Sequence, residues 1–155
     1  MKTIRIGSGA GYAGDRIEPA VELAEKGELD YLVFECLAER TIAIGQKQKQ
    51  QDPNKGYNEL LEARMRAVLP TCHAKRVRII SNMGSANPLA AGKAVLKIAQ
   101  ELGLHGLKVA VVTGDDVLSL IQSMDLTLDE ACVPISRFEK TLLSANAYLG
   151  AAGLL

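Results

Sequence analysis

Three glycines near the start of the chain, Gly9, Gly11 and Gly14, have the spacing G-x-G-x-x-G that is typical of phosphate-binding loops. Glycine lets a ligand approach the backbone closely, and the N–H groups of a following helix favour an anion. Glu35 follows Gly14 by 21 positions, where a dinucleotide-binding fold has its ribose-binding acid. Asp15, however, would repel a pyrophosphate. The motif leaves three interpretations open: a dinucleotide site, a site for another anionic or polar ligand, and a structural tight turn.

Polar side chains and glycines also follow three later apolar runs, each of which predicts a strand. Because the carboxyl ends of parallel strands meet at one edge of a sheet, we expect these residues to join the glycine motif in one ligand site. Asp15, Glu35 and Asp115 are the candidates for a general base. The sequence predicts no metal ligand set and leaves the cofactor open. The candidates that follow the later runs are Glu35, Arg40, Asn82, Gly84, Asn87, Gly114, Asp115 and Asp116.

Most of these residues also have a simpler interpretation. Asp15, Asn87 and one of the two acids at 115–116 stand where helix N-caps belong, and capping alone would explain them. Glu35 could pair with Arg40. Asn82, in the loop after the third strand, could satisfy backbone groups.

Strands and helices alternate along the chain, which predicts an α/β fold. Right-handed crossovers between parallel strands then give a three-layer, mostly parallel sheet with Rossmann-like topology, as a single domain over residues 1–155. The polar stretch 46–56 contains Pro and Gly and is predicted to be a mobile excursion. The predicted strands are 2–6, 31–35, 77–80 and 107–112, and the predicted helices are 17–26, 57–69, 88–102, 117–121 and 145–149, the last capped by Ser144.

Charge and cysteine content exclude several classes of partner. The 18 basic and 18 acidic residues balance, so nothing favours nucleic acid or an anionic membrane surface. No apolar run is long enough to span a membrane. The cysteines are odd in number and widely spaced, at 36, 72 and 132, which argues for a reducing compartment, and we expect a cytoplasmic protein. Cys36 is predicted to be a small buried residue and not a nucleophile.

Five segments resemble the amino-terminal part of the acyclic terpene utilisation family of the AtuA type, and they occur in the family's order. The resemblance implies a role in the bacterial breakdown of acyclic terpenes such as citronellol and geraniol, beside acyl-CoA carboxylase systems. It supplies no reaction and no cofactor. Members of the family are several times longer, so we expect a truncated amino-terminal part with an unpaired sheet edge or an exposed apolar surface. The five segments are 9–16, 29–43, 82–88, 114–117 and 144–151.

Three functions are therefore carried forward, and whether the chain is an enzyme is left open. The first is binding of a small anionic or acyl-CoA-type ligand at the strand carboxyl ends, in acyclic terpene or branched-chain acid catabolism. The second is an NAD(P)-binding oxidoreductase domain. The third is a non-catalytic scaffold or accessory partner of an acyl-CoA carboxylase system. For each we expect a homo-oligomer or association with a complementary protein.

Overall fold

Three parallel strands form a sheet in the order in which they occur in the chain: β1 (Ile6–Ala10), β2 (Tyr31–Phe34) and β3 (Arg78–Ser81). The computed structural model describes residues 3–138 and 141–154. β2 pairs with both neighbours, so β1 and β3 are the two edges. The carboxyl ends of the three strands lie at one edge of the sheet, as the sequence predicted for them.

Four helices accompany this sheet: α1 (Glu18–Lys26), α2 (Glu39–Gln51), α3 (Leu61–Lys75) and α4 (Pro88–Glu101). α1 packs on β1, and α3 packs on β3 and contacts both α1 and α4. Apolar residues on the inner faces of α1, α3 and α4 drive the packing, because burying each large side chain contributes about 1.5–3 kcal/mol. The fully buried centre of the core contains Leu32, Phe34, Val68, Met83 and Ile98.

The polar stretch that was predicted to be mobile is mostly helix, so that prediction is wrong for residues 46–51. Tertiary contacts stabilise this hydrophilic helix. Gly45 packs so closely on the carbonyl of Gly56 that an added methyl group would lie 2.9 Å from it. Lys49 Nζ donates to the carbonyl oxygen of Ala86 at 3.0 Å. The stretch is therefore held by the chain around residue 86, although its own composition provides no apolar face.

The predicted fourth strand is also wrong, since residues 107–112 form no strand. Its side chains alternate as a strand requires, and Val109 and Val111 lie against Gly92 of α4. A strand exists only where another strand accepts its backbone hydrogen bonds. In the described chain no such partner stands beside this run.

The contacts of the chain divide it into two compact units, Met1–Val111 and Val112–Leu155. The second unit contains α5 (Leu118–Met124) and a two-stranded antiparallel ribbon, β4 (Thr127–Leu128) with β5 (Val133–Pro134). α5 confirms the helix predicted near residue 117. Short 3₁₀ turns follow at Ile135–Arg137 and Ala152–Leu154.

The last predicted helix, at 145–149, is not formed. Its backbone instead bonds to the stretch that precedes α5. Val117 N donates to Ala145 O at 2.9 Å, and Ala147 N donates to Asp115 O at 2.7 Å. The carbonyl of Ala145 and the N–H of Ala147 are used in these bonds, so they are not available for the hydrogen bonds of a helix.

These elements confirm an α/β fold with a parallel sheet, whereas a three-layer, Rossmann-like topology is not established by them. Among residues 3–138 and 141–154, no helix has the length and apolar character needed to cross a membrane.

Candidate functional site

The first glycine of the motif lies inside a strand. β1 begins at Ile6, which pairs with Tyr31 at the start of β2, so residues 3–5 of the strand predicted at 2–6 are not strand, and residue 2 lies outside the described residues. β1 therefore extends through Gly9, where a Cβ atom would lie 2.7 Å from Phe34 Cε1. Gly9 is explained by this packing. A Cβ at Gly14 would meet only Tyr12, at an ordinary 3.4 Å.

Asp15 folds back over the glycine loop. Its Oδ2 accepts a hydrogen bond from Gly11 N and its Oδ1 accepts one from Arg16 N, both at 2.9 Å. These bonds, that from Gly11 first, hold the pKa of the Asp15 carboxyl below its usual value. The loop thus already binds one carboxylate, its own. A dinucleotide site would require Asp15 to turn away from the loop, and it does not.

Arg64 of α3 is fully buried directly against this loop. Its Nη2 donates to the carbonyl oxygen of Asp15 at 2.6 Å, and its Nη1 donates to that of Ala13 at 3.2 Å. Nη1 also lies 3.3 Å from Cys36 Sγ. Sequence reasoning missed this residue. The signal was an arginine placed three positions after Leu61 and four before Val68, on the apolar side of the helix.

The contacts of Arg64 also orient the loop peptides. The carbonyl of Ala13 points toward the guanidinium, and a planar trans peptide puts the following N–H on the opposite side. The N–H of Gly14 therefore points away from Arg64. Within the described chain nothing accepts a hydrogen bond from it. The result is a backbone donor on an exposed loop, with a buried cation behind it.

Asn82 joins the exits of β2 and β3. Its Oδ1 accepts from Cys36 N at 2.7 Å, and its Nδ2 donates to Glu35 Oε1 at 2.9 Å. The expectation that Asn82 satisfies loop backbone is confirmed. Glu35 pairs with this amide and not with Arg40, which is exposed in the first turn of α2. Cys36 is buried as predicted, and burial raises the pKa of its thiol.

Asn87 is a helix cap, as its simpler interpretation predicted. Its Oδ1 accepts from Ala90 N at 3.3 Å. Its Nδ2 also donates to two carbonyl oxygens of the 52–56 loop, both at 2.8 Å. Gly84 is explained by close packing, because a Cβ there would lie 2.8 Å from Pro88 Cα. Both residues are thus accounted for by the structure of the loop.

The remaining candidates belong to the second unit. Asp115 Oδ2 accepts from Asn146 Nδ2 at 2.9 Å, and Asp116 Oδ1 accepts from Leu118 N at the start of α5 at 3.3 Å. Gly114 has a φ of +115°, which only glycine adopts readily. The strand expected to bring these residues to the sheet edge is not formed. The hydrogen bond between Asp115 and Asn146 instead connects segments 114–117 and 144–151, two of the five on which the family resemblance rests.

Two cavities lie away from the strand exits. One, of about 540 Å³, lies between α1 and α3 and has Val21 and Ala67 in its wall. The other, of about 410 Å³, lies beside Tyr57. Neither is lined by a predicted site residue. In residues 3–138 and 141–154, no three His, Cys, Asp or Glu side chains are grouped as metal ligands would be.

A family model described as acyclic terpene utilisation family protein AtuA matches residues 4–155. The chain belongs to this family. The match includes all five segments that carried the resemblance, and therefore both the glycine loop and the paired segments of the second unit. Neither a curated protein nor a solved structure matches the chain. Membership points to a role in acyclic terpene utilisation.

Proposed function

We propose that this AtuA-family chain binds a small anionic ligand, a carboxylate or an acyl-CoA, at the carboxyl ends of β1, β2 and β3. The role would lie in acyclic terpene or branched-chain acid catabolism. The observation that supports the proposal most is the environment of Arg64. Among the described residues, no carboxylate forms an ion pair with this fully buried guanidinium. A buried charge without an ion pair is costly, and Arg64 is balanced here by two loop carbonyls and by its Coulombic attraction to the Asp15 carboxylate, so a further anion above the loop would stabilise this arrangement.

The loop chemistry favours a carboxylate over a pyrophosphate. Asp15 already occupies the N–H groups of Gly11 and Arg16 with its two carboxylate oxygens. A ligand carboxylate has the same shape and charge as this side chain. It would bind beside Asp15 at the N–H of Gly14, or would replace it. Two exposed arginines would add positive potential to the site. Arg16 directly follows Asp15, and Arg40 lies in the first turn of α2, after the exit of β2.

Thermal melting with a ligand panel tests the proposal. The panel is a short branched carboxylate, a short branched acyl-CoA, coenzyme A, NAD(H), NADP(H), and magnesium with ATP. A ligand at about 100 times its dissociation constant adds roughly 2.7 kcal/mol to the free energy of unfolding. We expect the carboxylate or the acyl-CoA to raise the melting temperature.

Three variants assign such a shift to the site. Asp15→Ala removes the competing carboxylate and strengthens anion binding, and Asn82→Ala releases Glu35 and weakens it. Asp30→Ala is the matched control, because Asp30 Oδ2 accepts from Arg5 N at 2.8 Å at the other end of the sheet. If the first two substitutions leave the binding of every ligand unchanged, the site assignment is wrong.

The NAD(P)-binding alternative has less support. Its first glycine is used for packing on Phe34, and Asp15 lies on the loop where a pyrophosphate would bind. In its favour, three parallel strands in the order 1-2-3 correspond to one half of a Rossmann-like sheet. If only a dinucleotide raised the melting temperature, the NAD(P)-binding alternative would be favoured, and Glu35 would be the next residue to replace.

A non-catalytic role beside an acyl-CoA carboxylase system is the second candidate. The observation that favours it is that the predicted site residues mostly satisfy each other and line neither cavity. Size-exclusion chromatography with purified carboxylase subunits tests it, and co-elution is the expected result. A cytoplasmic location and association with itself or a complementary protein are part of the same proposal.

A further inference from the structure

Tyr12 is the one large side chain on the glycine loop at residues 11–14. Its neighbours Gly11, Ala13 and Gly14 carry at most a methyl group, so their side chains cannot cover the ring. The side chain of Tyr12 is 59% exposed. A Cβ atom at Gly14 would lie 3.4 Å from Tyr12 Cε2 and 3.9 Å from Tyr12 Cδ2. The ring therefore lies beside Gly14, and most of its apolar surface is open to solvent.

The hydrogen-bond donor beside this ring is the N–H of Gly14. A Cβ atom lies roughly 2.5 Å from the N of its own residue, so Tyr12 Cε2 is within about 6 Å of Gly14 N. The backbone N–H groups of Tyr12, Ala13 and Gly14 all lack an acceptor in the part of the chain that the structure describes. A carboxylate held at the Gly14 N–H would thus have its hydrocarbon tail within reach of the ring.

Arg64 makes this N–H a better donor for an anion. Its Nη1 donates at 3.2 Å to the carbonyl oxygen of Ala13, which belongs to the same peptide group as the Gly14 N–H. A hydrogen bond to the carbonyl polarises the peptide and strengthens the donor at its other end. The Nε of Arg64 is buried and has no hydrogen-bond partner among the described residues. Because the guanidinium is incompletely satisfied, a formal negative charge at the Gly14 N–H is favoured over a neutral oxygen.

We propose that Tyr12 selects the ligand of this site, and that the ligand is a free carboxylic acid with a short hydrocarbon tail. This inference rests on the proposed function, which supplies the position of the carboxylate. The carboxylate accepts from the Gly14 N–H, and the tail lies on the Tyr12 ring, which removes water from one side of it. The loop already holds one carboxylate, that of Asp15. A coenzyme A thioester presents a neutral carbonyl oxygen instead, so it is the weaker ligand.

Two fatty acids of different length test the role of the ring in the full chain. Acetate and hexanoate are titrated into the isotope-labelled protein, and two-dimensional NMR follows the amide of Gly14. Hexanoate has four more methylene groups than acetate. Full burial of one methylene is worth a factor of about four in affinity, and contact on one side a factor of about two. We therefore expect hexanoate to bind roughly 15-fold more tightly than acetate.

Three variants assign this preference. Tyr12→Ser removes the ring, so it should leave the affinity for acetate unchanged and bring hexanoate to within about two-fold of it. Tyr12→Phe keeps the ring without the hydroxyl and should keep the preference. Leu89→Ser is the matched control, because Leu89 is also a large, apolar and exposed side chain, at 60%, but does not belong to the loop. It should keep the preference as well.

Two further probes test the class of ligand. Hexanamide and hexanoyl-CoA keep the tail but lack the carboxylate, so both should bind more weakly than hexanoate. Tighter binding of either would overturn the assignment of a free acid. A preference for hexanoate that survives Tyr12→Ser, or that is lost in Tyr12→Phe, would overturn the role of the ring, while the proposed function would stand. If neither acid shifts the amide of Gly14, the proposed function is wrong and this inference is wrong with it.

Discussion

Replacing Gly9 by alanine separates packing from ligand binding in the glycine motif. The new methyl group would lie 2.7, 3.0 and 3.1 Å from three atoms of the Phe34 ring. This ring is only 1% exposed, so it has little room to move. Overpacking of this kind costs about 1–3 kcal/mol. Gly11 belongs to the same motif, but a Cβ there would meet only Asp15 Oδ2, at 4.0 Å. Gly11→Ala is therefore the matched control.

The assay is thermal unfolding of the two variants and the wild type without ligand. In a chain of 155 residues, a change of 1 kcal/mol shifts the melting temperature by roughly 2–4 °C. We expect Gly9→Ala to lower it by about 2–12 °C, which is the product of this slope and the packing cost. Gly11→Ala, with no close contact, should stay within about 2 °C of the wild type.

Two results would refute this reasoning. One is a melting temperature for Gly9→Ala equal to that of the wild type, and the other is an equal loss for both variants. A double-mutant cycle with Phe34→Leu identifies the contact that matters. The smaller side chain relieves the clash, so in that background Gly9→Ala should cost about 1 kcal/mol less. The same cost in both backgrounds would mean that Phe34 is not the cause.

Four further predictions concern buried polar groups and thiols. Arg64→Lys loses the forked donors to two loop carbonyls and should lower the free energy of unfolding by about 1–3 kcal/mol in urea melts. Asn87→Ala should speed proteolysis of the 52–56 loop, because two carbonyl oxygens of that loop lose their hydrogen bonds from Asn87 Nδ2. Burial raises the pKa of Cys36, and raises that of Cys72 to about 11, so at about pH 8 a disulfide reagent should label only Cys132 in the native chain. Since these thiols ionise first in the unfolded state, stability should fall as the pH rises from about 9 to about 11.

Local sequence patterns correctly predicted those helices whose formation depends mainly on residues close together in the chain. The spacing of apolar residues predicted α1, and the Asn87-Pro88 pair predicted the start of α4, because a cap and its helix are contiguous in the chain. The same reasoning failed for residues 46–51 and 145–149. In the first case distant contacts stabilise a helix without an apolar face, and in the second distant backbone bonds replace one.

The sequence by itself determined the family and the α/β class with a parallel sheet, since motifs and periodicity are properties of contiguous residues. Tertiary structure alone decided the chemistry of the candidate site. Arg64 reaches the carbonyl of Ala13 across 51 positions, and Asn82 reaches Glu35 across 47. It also decided that residues 107–112 remain unpaired. A strand or a buried cation acquires its role from the groups that meet it, and which groups meet depends on packing between segments far apart in the chain.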